Sequence, residues 1–157
     1  MTSGRKEGQA LFEALGRRYG YEVRRAYSKS LPTDGVWYMG QQFGALPPVP
    51  VVAIEVVVTE SSTSIRSSVV TLELVSPALG ILLIHEEEMR RRLMRAGAAP
   101  EVVGAKVAAA REHAREFAAN ARQRIEIWSF ADLVRLYRMA TAERSLYRDG
   151  GTSVAVS

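Results

Sequence analysis

A chain of 157 residues, 47% of them apolar, suits one compact domain with a core of its own. The absence of cysteine excludes disulfides, cysteine-based zinc sites and thiol nucleophiles together. With no apolar run of roughly eighteen residues, and charges at Arg5, Lys6 and Glu7 where a signal peptide would be apolar, neither a membrane span nor a secretory leader is expected, and a cytoplasmic location is.

Residues 5–19 place Leu11, Leu15 and Tyr19 four apart with Phe12 beside them, the pattern of an amphipathic helix ended by Gly20; Glu7 continues that line one turn earlier. "YEVRRAYS" alternates as a first strand, "LPTDG" is turn chemistry, and "GVWYM" is a short second strand that begins just after Asp34. "GQQFGALPPVP" is a Gly/Pro connection, and "VVAIEVVVT" is a third strand, the most apolar of all. Ser61 or Ser62 caps a helix over 63–76, where Ile65, Val69, Leu72 and Val75 recur at helical spacing. "ILLIH" is a fourth strand, and the intervening helix implies that it runs parallel to the third. "EEEMRRRLMRAG" has acids in its first turn and arginines in its last, matching the helix dipole. Pro100 opens a long helix to about Gln123, "RIEIW" is a fifth strand, "FADLVRLYRMA" a closing helix, and 149–157 a frayed tail. The order α-β-β-β-α-β-(α-α)-β-α describes an α/β fold, a mixed central sheet with flanking helices.

One residue resists this pattern. Glu55 places a carboxylate inside a buried, β-branched strand, and such a group needs a partner cation, a proton or an edge location. Asp34 stands at the start of the second strand. If these strands pair as a hairpin, both carboxylates project at one end of the sheet, with the helix start bearing Glu7 over them. Two or three hard oxygen ligands beside solvent suit Mg²⁺ or Mn²⁺, which polarises a phosphodiester and lowers the pKa of an attacking water. No Gly-rich phosphate loop, Gly-x-Ser-x-Gly elbow or metalloprotease histidine pair competes with this reading.

The succession of charged helix, "GYEVRRAYSK", Pro32-Thr33-Asp34, Ile54-Glu55-Val56-Val57, helix and strand resembles the PD-(D/E)XK nuclease superfamily, nearest in pattern to archaeal Holliday junction resolvases and small restriction-type nucleases. The resemblance covers about residues 5–86. It implies a restriction-endonuclease-like α-β-β-β-α-β core within a single nuclease-like domain over 1–148, with extra helices and an edge strand over 87–148. It also implies DNA as partner, hydrolysis by magnesium-activated water, and a metal held by Asp34, Glu55, the Val56 carbonyl and Glu7. The family's lysine, two residues after the acid, is Val57 here. Lys29 and Arg66 are the nearest substitutes to act beside Asp34 and Glu55. A homodimer is expected because two-fold symmetry matches two DNA strands. Val57 favours the runner-up, a catalytically degenerate DNA-binding or assembly module of the same fold, and an unrelated α/β interaction protein is a third possibility.

Charge is permissive. Lys plus Arg number 21 against 17 acids, a formal net charge of +4, which fits a polyanionic partner without demanding one. Lysine occurs only at Lys6, Lys29 and Lys106; the arginine excess suits phosphate binding by guanidinium forks and equally a GC-rich genome, and it fits a thermophile. The densest basic run is Arg90, Arg91, Arg92 and Arg95, suited to phosphate contacts as well as to the helix dipole. Gln41 and Gln42 lie on the connection between the acid-bearing strands, where glutamine can read adenine. His85 and His113 read as structural, one at a strand end and one on a solvated helix face.

Overall fold

The computed structural model describes residues 3–39 and 48–149, the side chains of 144–149 excepted. Gln41, Gln42 and residues 150–157 of the expected tail lie outside this range. Ten elements follow in chain order: α1 (Ser3–Arg18), β1 (Glu22–Ala26), β2 (Pro32–Met39), β3 (Val49–Val57), α2 (Ser62–Val75), β4 (Leu79–Ile84), α3 (Glu86–Arg95), α4 (Pro100–Ala119), β5 (Ile125–Ser129) and α5 (Phe130–Asp149). The expected element order holds throughout.

The five strands form one mixed sheet in the order β1-β2-β3-β4-β5. The first three are antiparallel neighbours, and β3, β4 and β5 run parallel. That division follows from the connections: β1 reaches β2 through a short turn at Ser28–Leu31, whereas β3, β4 and β5 are joined through helices that must cross a sheet face. Both faces are consequently covered. Ile54 and Val56 pack with Phe12, Leu15 and Leu133, the side of α1 and α5. Ala53 and Val57 pack with Ile65, Leu72 and Val107, the side of α2 and α4. This two-sided burial explains why β3 reads as a nearly continuous apolar run instead of alternating.

Local signals account for most boundaries. Ser61 caps α2 by accepting the Ser64 N–H, and Pro100 occupies the first turn of α4, where its missing N–H costs nothing. The expectation at "LPTDG" is corrected. The chain turns at Ser28–Leu31, so Asp34 and Gly35 are strand residues within β2. Gly35 is there for close approach: a Cβ would lie 2.7 Å from the Phe12 ring, which sits on the strand at this point. Two helix ends also differ: α4 stops at Ala119 and α5 continues to Asp149.

The face α1 turns to the sheet differs from the expected Leu11–Leu15–Tyr19 line. Its buried residues are Gly4, Gly8, Gln9, Phe12, Leu15 and Gly16, while Tyr19 is 45% exposed. Gly8 fits this contact because even a methyl group would meet the Val56 and Leu83 side chains at 3.1 Å. The helix packs mainly across β1, β2 and β3, and it is the Gln9 stripe, not the Glu7 stripe, that meets Asp34. Among the described residues, no helix is long and apolar enough to cross a membrane.

Candidate functional site

The β2–β3 ladder ends one step short of the two acids. Its last pair at this end is Gly35 with Ile54. Beyond that point β2 no longer pairs with Val56, and side chains take over. The Asp34 carboxylate accepts the Val56 N–H through Oδ2 at 2.7 Å and the Gln9 side-chain amide through Oδ1 at 2.6 Å. Arg5, one helical turn before Gln9, donates to the Val56 carbonyl from Nε at 3.3 Å and Nη2 at 3.1 Å, and its Nε lies 3.4 Å from Asp34 Oδ2. Asp34 is thus buried but fully partnered, completing a strand edge with two side chains of α1.

Glu55 is buried and not partnered in the same way. It is 7% exposed on the middle strand of five, which excludes the edge-location explanation for its presence. No cation lies within pairing distance of it among the described residues, and its Oε1 has no hydrogen-bond partner. Burial, then the negative charge of Asp34, push its carboxyl up to about 8. Arg5, the Asp34 backbone N–H and the Ser68 hydroxyl pull the other way and are outweighed. Without a metal ion, the protein holds Glu55 as a neutral acid at pH 7. The neighbouring Thr33 hydroxyl is likewise buried without a partner.

Glu55 opens into a cleft of about 430 Å³ bounded by β3, α2, α3 and the start of α1. Val57, on the same strand face as Glu55, lines it too. One wall is the hydroxyl row of Ser64, Ser67, Ser68 and Thr71 on α2, and the cations are Arg5 and Arg92. Arg92 is distinctive within its run. Arg90, Arg91 and Arg95 each pair with glutamates of α3, whereas Arg92 has no carboxylate partner among the described residues. The "ESSTSIRSS" segment therefore has two roles, a cap at Ser61 and a hydroxyl wall beyond it.

The sequence candidates divide accordingly. Asp34, Glu55 and Val56 meet at one strand end. Glu7 turns elsewhere: its carboxylate accepts the Ser3 hydroxyl at 3.0 Å and lies 4.0 Å from His85 Nε2. Lys29 is exposed in the turn before β2, and Arg66 is exposed on α2; neither lines the cleft. Arg5 and Gln9 were missed, and Arg92 was singled out only as one of four arginines in its run. Gln9 and Arg5 continue the Phe12 stripe backwards at helical spacing, which was the available signal. His85 is structural in one respect at least, since its Nδ1 accepts the Glu88 N–H and caps α3.

As a donor set for a hard divalent cation, two carboxylates and a backbone carbonyl beside solvent are suitable for Mg²⁺, which needs only one or two protein carboxylates. The unpartnered Glu55 oxygen fits that use. Among the described residues, no group of three or more His, Cys, Asp or Glu side chains gathers to hold a metal. Neither protein-family models, nor curated proteins, nor solved structures give a match to this chain.

Proposed function

We propose that the protein is a DNA-binding, metal-dependent phosphodiesterase, an endonuclease-like hydrolase with a restriction-endonuclease-like core of the PD-(D/E)XK kind, acting as a homodimer. The observation that carries this reading is Glu55 Oε1, a buried carboxylate oxygen without a partner at the floor of a cleft walled by hydroxyls and arginines. A proton answers the charge of this acid but leaves Oε1 without a partner, and an unsatisfied buried polar atom costs on the order of a few kcal/mol, which a site that uses it explains.

Asp34, Glu55 and the Val56 carbonyl hold Mg²⁺ or Mn²⁺ in this reading, and the bound ion supplies Lewis acidity toward a phosphodiester and its attacking water. The chain's own residues do the rest. Ser64 and Ser67 donate hydrogen bonds to phosphate oxygens, while the Thr71 hydroxyl is committed to the Ser67 carbonyl at 3.0 Å. Arg92 brings positive charge to the cleft that Val57 lines, the work expected of Lys29 or Arg66. Gln9 and the Val56 N–H keep the Asp34 carboxylate oriented. Two copies related by a two-fold axis would address the two strands of a duplex.

A second reading is favoured by a specific contact. Arg5 occupies the space between Asp34 and the Val56 carbonyl, and Val57 stands in the lysine position, as expected of a nuclease fold retained as a DNA-binding module without catalysis. One set of measurements separates the two. Calorimetric titration with Mn²⁺ and a plasmid-nicking assay should show ion binding and cleavage in the wild type, and neither in Glu55→Gln, with an unchanged circular dichroism spectrum. Full nicking by Glu55→Gln would overturn the site; DNA binding without Mn²⁺ binding or nicking in the wild type would establish the second reading.

A further inference from the structure

Arg5 sits on the very oxygens that the metal reading needs. Its guanidinium donates twice to the Val56 carbonyl, at 3.1 and 3.3 Å, and its Nε lies 3.4 Å from Asp34 Oδ2. The backbone explains why something positive belongs there. Val56 is fully buried, and its N–H and C=O face the β2 side after the ladder has ended. The N–H has Asp34. The carbonyl would be left without a donor if Arg5 were absent, and a buried, unsatisfied carbonyl is unfavourable. A divalent ion on the Val56 carbonyl and Asp34 would satisfy both oxygens equally well, but would bring a second positive charge against the guanidinium.

Arg5 is also built to leave. It lies in the first turn of α1 on a long flexible stem, its side chain is 38% exposed, and it lines the same cleft as Glu55 and Arg92. Gln9 on the next turn keeps Asp34 in place independently.

We propose that Arg5 is a resident cation that alternates with the divalent ion on the Asp34–Val56 seat, and that on leaving it becomes a phosphate-positioning residue in the cleft beside Val57. This rests on the metal reading above. Charge is balanced in both arrangements. Before the ion enters, one guanidinium matches the Asp34 carboxylate; afterwards the Asp34 and Glu55 carboxylates match the two charges of the ion, the Glu55 proton having passed to solvent, and the released guanidinium is free to match a phosphate. Val57 then leaves room for an arginine arriving from α1, where a lysine from β3 would crowd it.

The test is Mn²⁺ affinity without DNA, measured by calorimetry on the full chain as wild type and as Arg5→Gln. Glutamine can still donate one hydrogen bond to the Val56 carbonyl but brings no competing charge. Arg5→Gln should bind Mn²⁺ about 10-fold more tightly, within the range of ordinary coupling between two sites. As a measurement on the unaltered chain, the Arg5 Nε–H resonance, assigned by its loss in Arg5→Lys, should move to the position of a free arginine at saturating Mg²⁺. Equal or weaker Mn²⁺ binding by Arg5→Gln overturns the proposal while leaving the metal site standing. If Arg5→Gln does not fold, an Nε–H resonance unmoved by Mg²⁺ overturns it instead. Absence of Mn²⁺ binding in both proteins overturns the metal reading and this proposal together.

Discussion

Among the described residues, the clefts at the carboxyl ends of the parallel strands, the edge where open α/β sheets commonly bind ligands, include one beyond β4 and β5 and a smaller one beyond β3, and the larger of these is not the better candidate. The cleft of about 780 Å³ lies beyond β4 and β5, between the start of α3 and α5, and its lining includes Ile84, Phe130, Val134 and Met139. Its polar groups are engaged only in part, since His85 Nε2 is buried without a hydrogen-bond partner and Arg138 has no carboxylate partner among the described residues. Glu86 is held by Arg111 at 2.7 Å, Ser129 and Arg135 both bond Asp132, and His85 caps α3 while stacking on Phe130. The smaller cleft beyond β3, about 430 Å³, holds the orphaned carboxyl oxygen of Glu55, an arginine without a carboxylate partner among the described residues and the hydroxyls of Ser64 and Ser67. Volume measures where side chains do not pack; chemistry needs polar groups left unsatisfied by the fold. The comparison favours the β3 end because the unpartnered group there is a carboxyl oxygen, the donor a hard divalent cation takes, whereas in the larger cleft it is an imidazole nitrogen stacked against Phe130.

The largest effect that tests this contrast is the pH dependence of stability at Glu55. Its folded pKa of about 8 stands above the ordinary value of 4.5. Below pH 4.5 the group is neutral in both folded and unfolded chains. Between 4.5 and 8 the unfolded chain releases the proton and the folded one keeps it, so stability falls as pH rises across that window and levels off above it. In EDTA, Glu55→Gln should match the wild type at pH 4 and exceed it at pH 9 by on the order of 4 kcal/mol, read from urea midpoints. Saturating Mn²⁺ at pH 9 should narrow the gap by stabilising only the wild type. Parallel pH profiles for the two proteins would remove Glu55 from its special position.

Asp34 should give the next effect, and for the opposite reason. Asp34→Ala strands the Val56 N–H and the Gln9 amide and removes an acceptor from Arg5, which should lower stability by about 2–3 kcal/mol at pH 6 in chemical denaturation. Asp34→Asn keeps the shape and one acceptor and should lose less. A neutral outcome for Asp34→Ala would mean that the strand end is not held by this carboxylate, and the contrast between a partnered acid and an unpartnered one would collapse.

These two acids also show where sequence suffices and where it does not. The element order was legible because apolar periodicity reports which faces are buried, and Glu55 was conspicuous because a carboxylate in a two-sided apolar strand violates that pattern. Its neighbours were harder. "PTDG" carries turn residues, but Gly35 serves the Phe12 ring that lies on it, a contact between α1 and β2 that no local rule reports. On α1, reading leucines as the buried stripe pointed Glu7 at the acids. The true contact face includes Gly4, Gly8 and Gly16, whose small size permits close approach while adding nothing to an apolar pattern, and the shift of stripe exchanges Glu7 for Arg5 and Gln9. The arginine run of α3 was visible as a run; that Arg92 faces the cleft depends on how α3 is rotated where it packs against α4, which is a property of the assembled core.

Arg92 offers a smaller and more selective test. The side chain is exposed and without a carboxylate partner among the described residues, so Arg92→Ala should leave stability within about 0.5 kcal/mol. If the cleft receives phosphate, DNA affinity measured by fluorescence anisotropy in EDTA should fall about 10-fold, and the salt dependence of binding should lose about one unit of slope. Arg90→Ala is the internal comparison: Arg90 approaches Glu86 at 4.0 Å and does not line that cleft. Equal losses from both substitutions would reduce the effect to general positive charge.

The smallest expected effect belongs to the larger cleft. Met139 lines it and is 54% exposed, so Met139→Gln exchanges one flexible side chain for another of similar length and should alter stability by no more than about 0.5 kcal/mol. Mn²⁺ affinity and DNA affinity should both stay at wild-type values, because no group of the β3 cleft contacts this surface and the two openings share no lining residue. A drop in DNA binding from Met139→Gln, with Arg92→Ala silent, would reverse the assignment: the apolar opening beyond β4 and β5 would then be the interface, and the unsatisfied Glu55 oxygen would need an explanation inside the fold.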